Sequence, residues 1–282
     1  MQPVNFPALR QSVFRGRLST PLYNSARPSR PRCLPLLTPR MTKHAFSNSQ
    51  TENSKQESSS PRIPLRLMPL GGSITYGIGS STGNGYRNEL KDILLSRGHQ
   101  TILVGTRKSG TMANNDNEGW RGYRIDQIHE KAKRSAARYK PNVFTVNAGA
   151  NDCLQDYEIQ AVGLRLEALI GDLWRIASPG ATVVLSTLVV AAEEEMNSRV
   201  LRVNDQIRDL VERMGAGNRR IVLADLYSPR GPQVGDLVDD GIHPGDEGYV
   251  KIAEIWADSI EEAARTGLLQ PPQAVSNRRD CV

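Results

Sequence analysis

Leu65-Arg66-Leu67-Met68-Pro69-Leu70-Gly71-Gly72-Ser73-Ile74-Thr75 sets an apolar run against two glycines and then a hydroxyl. A run of this kind, closed by paired glycines, reads as a buried strand that stops at a tight turn. The first residue beyond the turn able to carry chemistry is Ser73, at the strand's carboxyl end. Ligands of open parallel sheets bind in the crevice outside the carboxyl ends of the strands, so the placement marks Ser73 as a candidate for function. The plain alternative is a structural turn serine, and only the rest of the chain separates the two.

Downstream of this turn, short β-rich runs alternate with longer helical patterns. A Gly/Ser/Thr/Asn loop covers 76–85, and a helix is expected from Tyr86 to Arg97, ended by Gly98. Thr101 to Val104 reads as a second strand. A polar loop containing Asn114-Asn115-Asp116-Asn117 leads to Trp120-Arg121-Gly122-Tyr123, after which Asp126 reads as the cap of a helix running to about Tyr139. Asn142 to Asn147 is a third strand, ending in Ala148-Gly149-Ala150-Asn151-Asp152. A helix over 162–177 is followed by a very apolar strand from Thr182 to Val190. Val200, Val203, Ile207, Leu210 and Val211 then mark one face of another helix. Ile221 to Asp225 is a fifth strand, and Asp240-Gly241-Ile242-His243-Pro244 precedes a closing helix from about Gly245 to Arg265. This alternation predicts an α/β fold with a parallel sheet covered on both faces, in one domain. No internal repeat is visible.

Charge divides the chain differently. The first sixty residues hold nine Lys/Arg against two acids, Glu52 and Glu57, which leaves 27 basic and 28 acidic residues for 61–282. The high pI therefore belongs to the leader, and the remainder has no charge bias toward nucleic acid. An Arg/Ser/Pro-rich leader with no acid before Glu52 resembles an organellar transit peptide more than a secretory signal. A disordered tail, or a start codon placed upstream of Met41, are the other readings. The sequence thus divides into a leader (1–60), a domain (61–268) and a flexible tail (269–282). An intracellular location is expected, cytoplasmic or mitochondrial, with secretion open if the start is misplaced. No stretch approaches the roughly 18 apolar residues of a membrane span. Cys33, Cys153 and Cys281 are odd in number and scattered, which implies no disulfide framework.

Ser73, Asn151 and the pair Asp240 and His243 all fall in turns that such a fold brings to one edge of the sheet. A serine hydroxyl is a poor nucleophile at neutral pH and needs an imidazole to take its proton. His44 lies in the leader, His99 in a polar turn and His129 in a basic helix, which leaves His243. Asp240, three residues earlier, is near enough to hold that imidazole in the correct tautomer. A tetrahedral intermediate then needs donors, and the Ser73 N–H, a glycine N–H and an asparagine amide are suitable chemistry.

The four blocks Gly71-Gly72-Ser73-Ile74-Thr75, Glu118-Gly119-Trp120-Arg121-Gly122, Gly149-Ala150-Asn151-Asp152 and Asp240-Gly241-Ile242-His243-Pro244, in this order, resemble the SGNH (GDSL-like) hydrolase superfamily. The match covers roughly residues 65 to 262. The resemblance implies a three-layer α/β/α, flavodoxin-like fold with a five-stranded parallel sheet. It also implies Ser73 as nucleophile, His243 as base, Asp240 as its orienting acid, and an oxyanion hole of Ser73, Gly122 and Asn151, with Gly119 a weaker competitor for the glycine role. The stretches 68–77 and 118–128 are similar to the acetylxylan-esterase-like group, carbohydrate esterase family 3. Gly72 departs from the pattern, which usually has Asp there.

Rival motifs are absent: there is no G-x-x-x-x-G-K-[ST], no complete G-x-G-x-x-G, no G-x-S-x-G elbow, and no second histidine beside His129-Glu130 for zinc. The expectation is a monomeric serine esterase with no metal or cofactor, acting through an acyl-enzyme on a short acyl ester of a sugar or other small alcohol. The alternatives are an intracellular tailoring esterase, thioesterase or lysophospholipase, and a catalytically inactive carbohydrate-binding relative. Trp120 and Tyr123 are candidate substrate-lining aromatics, with simple packing as the other reading. Arg121 and Arg124 read first as solvated charge and second as contacts for an anionic substrate. Cys153 reads as a buried small hydrophobe.

Overall fold

The computed structural model describes residues 62–275, so the expectations for the leader and for 276–282 lie outside the described residues. Strand β1 (Leu65–Gly71) is central. It pairs in parallel with β5 (Val143–Asn147), which is followed across the sheet by β6 (Thr182–Ser186) and β7 (Ile221–Ala224), all parallel. The other edge of β1 is shared. Its first half pairs with β2 (Thr101–Leu103), and its last two residues pair with β4 (Asp116–Gly119).

The five expected parallel strands are thus present and are joined by an antiparallel pair, β3 (Arg107–Lys108) and β4, in a region that reads as loop. β2 is only three residues long and leaves the carboxyl half of β1 with an open edge, which β4 fills. The polar residues of β4 are tolerated because each is bonded. Asn117 donates to Ser109 Oγ and accepts from the Gly119 N–H, and the Glu118 carboxylate accepts from the Thr106 N–H and hydroxyl.

Alternation along the buried strands divides the core into two layers. Met68, Leu70, Phe144, Val146, Val183 and Leu185 pack with α3 (Ile125–Tyr139), α5 (Val162–Ile176) and α6 (Glu194–Ala216). Leu65, Leu67, Val143 and Val184 face the other way, toward α2 (Arg87–Ser96) and α7 (Asp246–Arg265), where Trp256 and Tyr249 are among the largest buried side chains. A sheet buried on both faces by helices is the α/β/α sandwich, and it accounts for the near-continuous apolar runs of the inner strands.

The N-cap of α3 is Arg124 rather than Asp126, and two further boundaries differ from the sequence reading. β6 stops at Ser186 rather than Val190, because the side-chain amide of Asn204 on α6 takes both backbone groups of Leu188, accepting its N–H at 2.7 Å and donating to its C=O at 3.1 Å. The packed body also runs past residue 268. Leu269 is buried, the Gln270 carbonyl accepts from Asn142, and Gln273 is bonded through its N–H to Ser178 and through its C=O to Arg66. Residues 269–273 are therefore docked on the domain, beyond the boundary expected at 268.

Candidate active site

Each chemistry-bearing turn follows the carboxyl end of a strand. Ser73 opens α1 (Ser73–Tyr76) directly after β1, Asn151 lies in α4 (Ala150–Leu154) after β5, and Asp240 and His243 lie between β7 and α7. The sheet register sets the ends of β1 and β5 side by side, Gly71 opposite Asn147, which draws the first two turns together. His243 reaches them from 170 residues away: Ser73 Oγ is 2.6 Å from its Nε2.

On the far side of the ring, His243 Nδ1 lies 2.6 Å from Asp240 Oδ2. The other carboxylate oxygen accepts the backbone N–H groups of Ile242 and His243, both at 2.9 Å. Burial opposes the charge on Asp240, but the His243 ring and these two N–H groups outweigh it and hold the carboxyl below its ordinary pKa. The stabilisation linked to that ionisation is present above the ordinary carboxylate pKa and is lost only as pH falls through the lowered value. An ionised carboxylate only accepts. Nδ1 therefore carries the imidazole proton, and Nε2 is left bare to accept the Ser73 hydroxyl.

The donor side is built from two other turns. The Asn151 amide donates one N–H to the Tyr123 carbonyl at 3.0 Å, which fixes its direction and leaves the second N–H. Gly122 has φ +75° and lines the same cleft, with no atom within 4 Å of where a Cβ would stand. Gly119, its competitor, serves packing instead. A Cβ there would come within 2.5 Å of the Tyr76 nitrogen, so its bareness lets β4 lie against α1.

These groups line a cleft of about 420 Å³ together with Ile74, Ile78, Leu154, Ile242 and Arg121. A side hollow of about 10 Å³, room for little more than one methyl-sized group, shares Ile74, Ala150 and Ile242 with it and is walled by Leu188, Val189, Met196 and Val200, with Asn147 its one polar wall residue. Leu188, Val189, Val190 and Ala191, just past the end of β6, form one of its walls. A larger open groove of about 550 Å³ at Trp174 and Arg219 shares no residue with the cleft.

The two aromatic candidates fare differently from the rest. Neither Trp120 nor Tyr123 lines the main cleft. Their rings stack on each other with centroids 5.4 Å apart, and the Trp120 indole donates to Glu118 at 3.0 Å, so Trp120 packs. Tyr123 contributes its carbonyl to Asn151 and borders a small hollow beneath Ser73. Arg124 is turned away to Gln155, whereas Arg121 faces the cleft. The other described histidines stay apart, His99 bonded to Glu261 and His129 to Asp172. Leu154 and Ile242 had a usable signal in the sequence: each stands within three residues of a marked residue, Leu154 one helical turn beyond Asn151.

Cys153 is buried beside this site. Burial, with the nearby Asp152 charge adding to it, pushes its thiol up to about 12. The thiol should stay protonated and closed to reagent. Iodoacetamide at pH 8, followed by peptide mass mapping, is expected to leave Cys153 unmodified in the native protein and to label it fully in denaturant. Native labelling as fast as that of a free thiol would contradict its burial.

A serine, a histidine and an aspartate joined in this order at the carboxyl edge of a parallel sheet form the constellation of a serine hydrolase. The sequence model of the GDSL-like Lipase/Acylhydrolase family matches residues 70–251, well over half of the chain, and the chain belongs to that family. It is 25% identical over 236 residues to a multidomain esterase of Ruminococcus flavefaciens, covering 72% of this chain and 30% of that protein. It is 26% identical over 217 residues to an acetylxylan esterase of Xylanibacter ruminicola, covering 70% and 43% respectively. The chain thus spans less than half the length of either relative. Among solved structures, a family 3 carbohydrate esterase of Clostridium thermocellum superposes with a TM-score of 0.65 at 25% identity, over 73% of this chain and 99% of that one. An acetyl esterase mutant with bound acetate shares the fold at 18% identity, with a TM-score of 0.63 over 72% of this chain and 99% of that one.

Proposed function

We propose that this hydrolase cleaves short acyl esters, acetyl above all, of a sugar or other small alcohol through an acyl-enzyme. The observation that carries the reading is the unbroken relay from Ser73 Oγ through His243 to Asp240, at 2.6 Å for each bond. His243 Nε2 takes the Ser73 proton as Oγ attacks the ester carbonyl. The Ser73 and Gly122 N–H groups and the free Asn151 amide N–H hold the negative oxygen. Collapse expels the alcohol, which receives the proton from His243 and leaves Ser73 acylated. Water then attacks with His243 again as base, releasing the acid and restoring the serine.

Two observations support a short acyl chain. The hollow that shares Ile74, Ala150 and Ile242 with the cleft has room for about one methyl-sized group, and its walls are apolar apart from Asn147. The names of the relatives, acetylxylan esterase and family 3 carbohydrate esterase, agree in kind. The test is a series of p-nitrophenyl acetate, butyrate and octanoate on the full chain. kcat/KM should fall at least about tenfold from acetate to octanoate, since a pocket that closes after one carbon rejects each added methylene. A rate that rises with chain length would replace this reading with a lipid or long-chain acyl substrate.

A further inference from the structure

Among the described residues, Arg121 is the one permanently charged side chain lining the cleft. Other arginines around the site are engaged: Arg124 donates to Gln155, Arg165 to the buried Asp152, and Arg199 pairs with Asp156 and Glu195. Arg121 has no carboxylate or hydrogen-bond acceptor among the described residues. Its guanidinium stands 6.0 Å from the centre of the Tyr76 ring.

A second guanidinium shares that ring. Arg107, on β3, lies 5.6 Å from the Tyr76 centre and 4.8 Å from that of Trp120. It too has no acceptor among the described residues, and its Nε is buried without a partner. The nearby carboxylate, Glu118, is turned to Thr106 and the Trp120 indole instead. Two arginines therefore share one aromatic ring, Arg121 lining the cleft and Arg107 on the ring but outside that lining, their donors unspent among the described residues. Stacking orders a guanidinium while leaving its edge free, the state in which it binds an oxyanion in a two-pronged fashion.

The apolar side hollow carries no charge and suits the acyl group, so the alcohol half of the ester is the part left facing Arg121. Resting on the esterase reading above, we infer that the alcohol half of the substrate carries an oxyanion, a carboxylate or phosphate, received by Arg121 with Arg107 behind it. A neutral acetylated sugar would leave both cations unmatched.

The experiment compares 4-acetoxybenzoate with its methyl ester, and 4-acetoxyphenyl phosphate with 4-methoxyphenyl acetate, as anionic and neutral acetates. The quantity read is the ratio of kcat/KM within each pair, taken across wild type, Arg121→Gln, Arg121→Lys and Arg121→Glu. Comparing the ratio between variants removes the difference in intrinsic reactivity of the leaving groups. Arg121→Gln should lower the ratio about tenfold, the scale of a charge-assisted contact at a partly wet site, and Arg121→Glu should lower it further. Arg121→Lys should fall between wild type and Arg121→Gln, keeping the charge and losing the two-pronged contact. Raising NaCl from 0.05 to 0.5 M should shrink the wild-type ratio markedly more than that of Arg121→Gln, in which only Arg107 remains. The pair with the larger drop tells a carboxylate from a phosphate. A ratio that is the same in all four proteins and indifferent to salt overturns the subsite. Failure of the esterase reading has a different signature, turnover that survives in Ser73→Ala or is absent from all four proteins. Calorimetric binding of 4-hydroxybenzoate against its methyl ester then reads the same preference without turnover, and equal binding of the two overturns the proposal there as well.

Discussion

Replacing Ser73 by alanine is expected to lower kcat for p-nitrophenyl acetate by roughly 10⁵-fold, and His243→Ala by a comparable factor, because a nucleophile and its base that act as a unit are lost as a unit. Ser73 Oγ and His243 Nε2 are already at 2.6 Å, so little rearrangement separates the resting site from proton transfer. The double variant should be scarcely worse than either single one. Asp240→Asn is the more telling change. One Asp240 oxygen is claimed by the N–H groups of Ile242 and His243, so an asparagine would set its carbonyl there and present its amide N–H₂ to the ring. The ring must then accept at Nδ1 and carry its proton on Nε2, where it cannot take the Ser73 proton. Loss of about 10⁴-fold follows from the wrong tautomer, with the fold intact. Steady-state rates, read beside circular dichroism of each variant, check the series. Ser73→Ala retaining a tenth of wild-type activity would remove Ser73 from the mechanism.

The parts of this molecule that were legible in the sequence are those fixed by local spacing or by burial on both faces. β1 could be read because Leu65, Leu67, Met68 and Leu70 have no exposed face to interrupt them. Asp240 and His243 could be paired because three residues in a tight turn leave few other arrangements. Ser73 could be joined to a histidine 170 residues away only through topology, since a parallel sheet puts the turns after its strands on one edge. What escaped depends on contacts that no local pattern encodes. β4 is polar, and it is a strand only because Thr106 and Ser109, in another segment, bond its side chains. The end of β6 is set by Asn204, sixteen residues beyond Leu188 and across a helix. The direction of Trp120 was equally hidden: the indole turns to Glu118 and a stacked Tyr123, and it is the neighbouring Arg121 that meets the cleft.

Asn151→Ala should reduce kcat by about 10² to 10³-fold while moving KM little, the pattern expected when a donor acts on charge that exists only in the transition state. The amide is held in advance, since its bond to the Tyr123 carbonyl at 3.0 Å aims the remaining N–H without reorganisation during reaction. Asn151→Asp should be no better than alanine, because a carboxylate would face both that carbonyl and the developing oxyanion. Gly72 offers a graded control on the same group. Its φ of −95° lies outside the left-handed region, yet a Cβ there would stand 3.3 Å from the Asn151 amide nitrogen, tight enough to push it by a few tenths of an ångström. Gly72→Ala should therefore lose a few-fold in kcat through displacement of the donor, and Gly72→Ala on Asn151→Ala should lose almost nothing more. Independent, multiplying losses in that double variant would mean that residue 72 acts on Ser73 directly, and equal kcat in Asn151→Ala and wild type would take the amide out of the oxyanion hole.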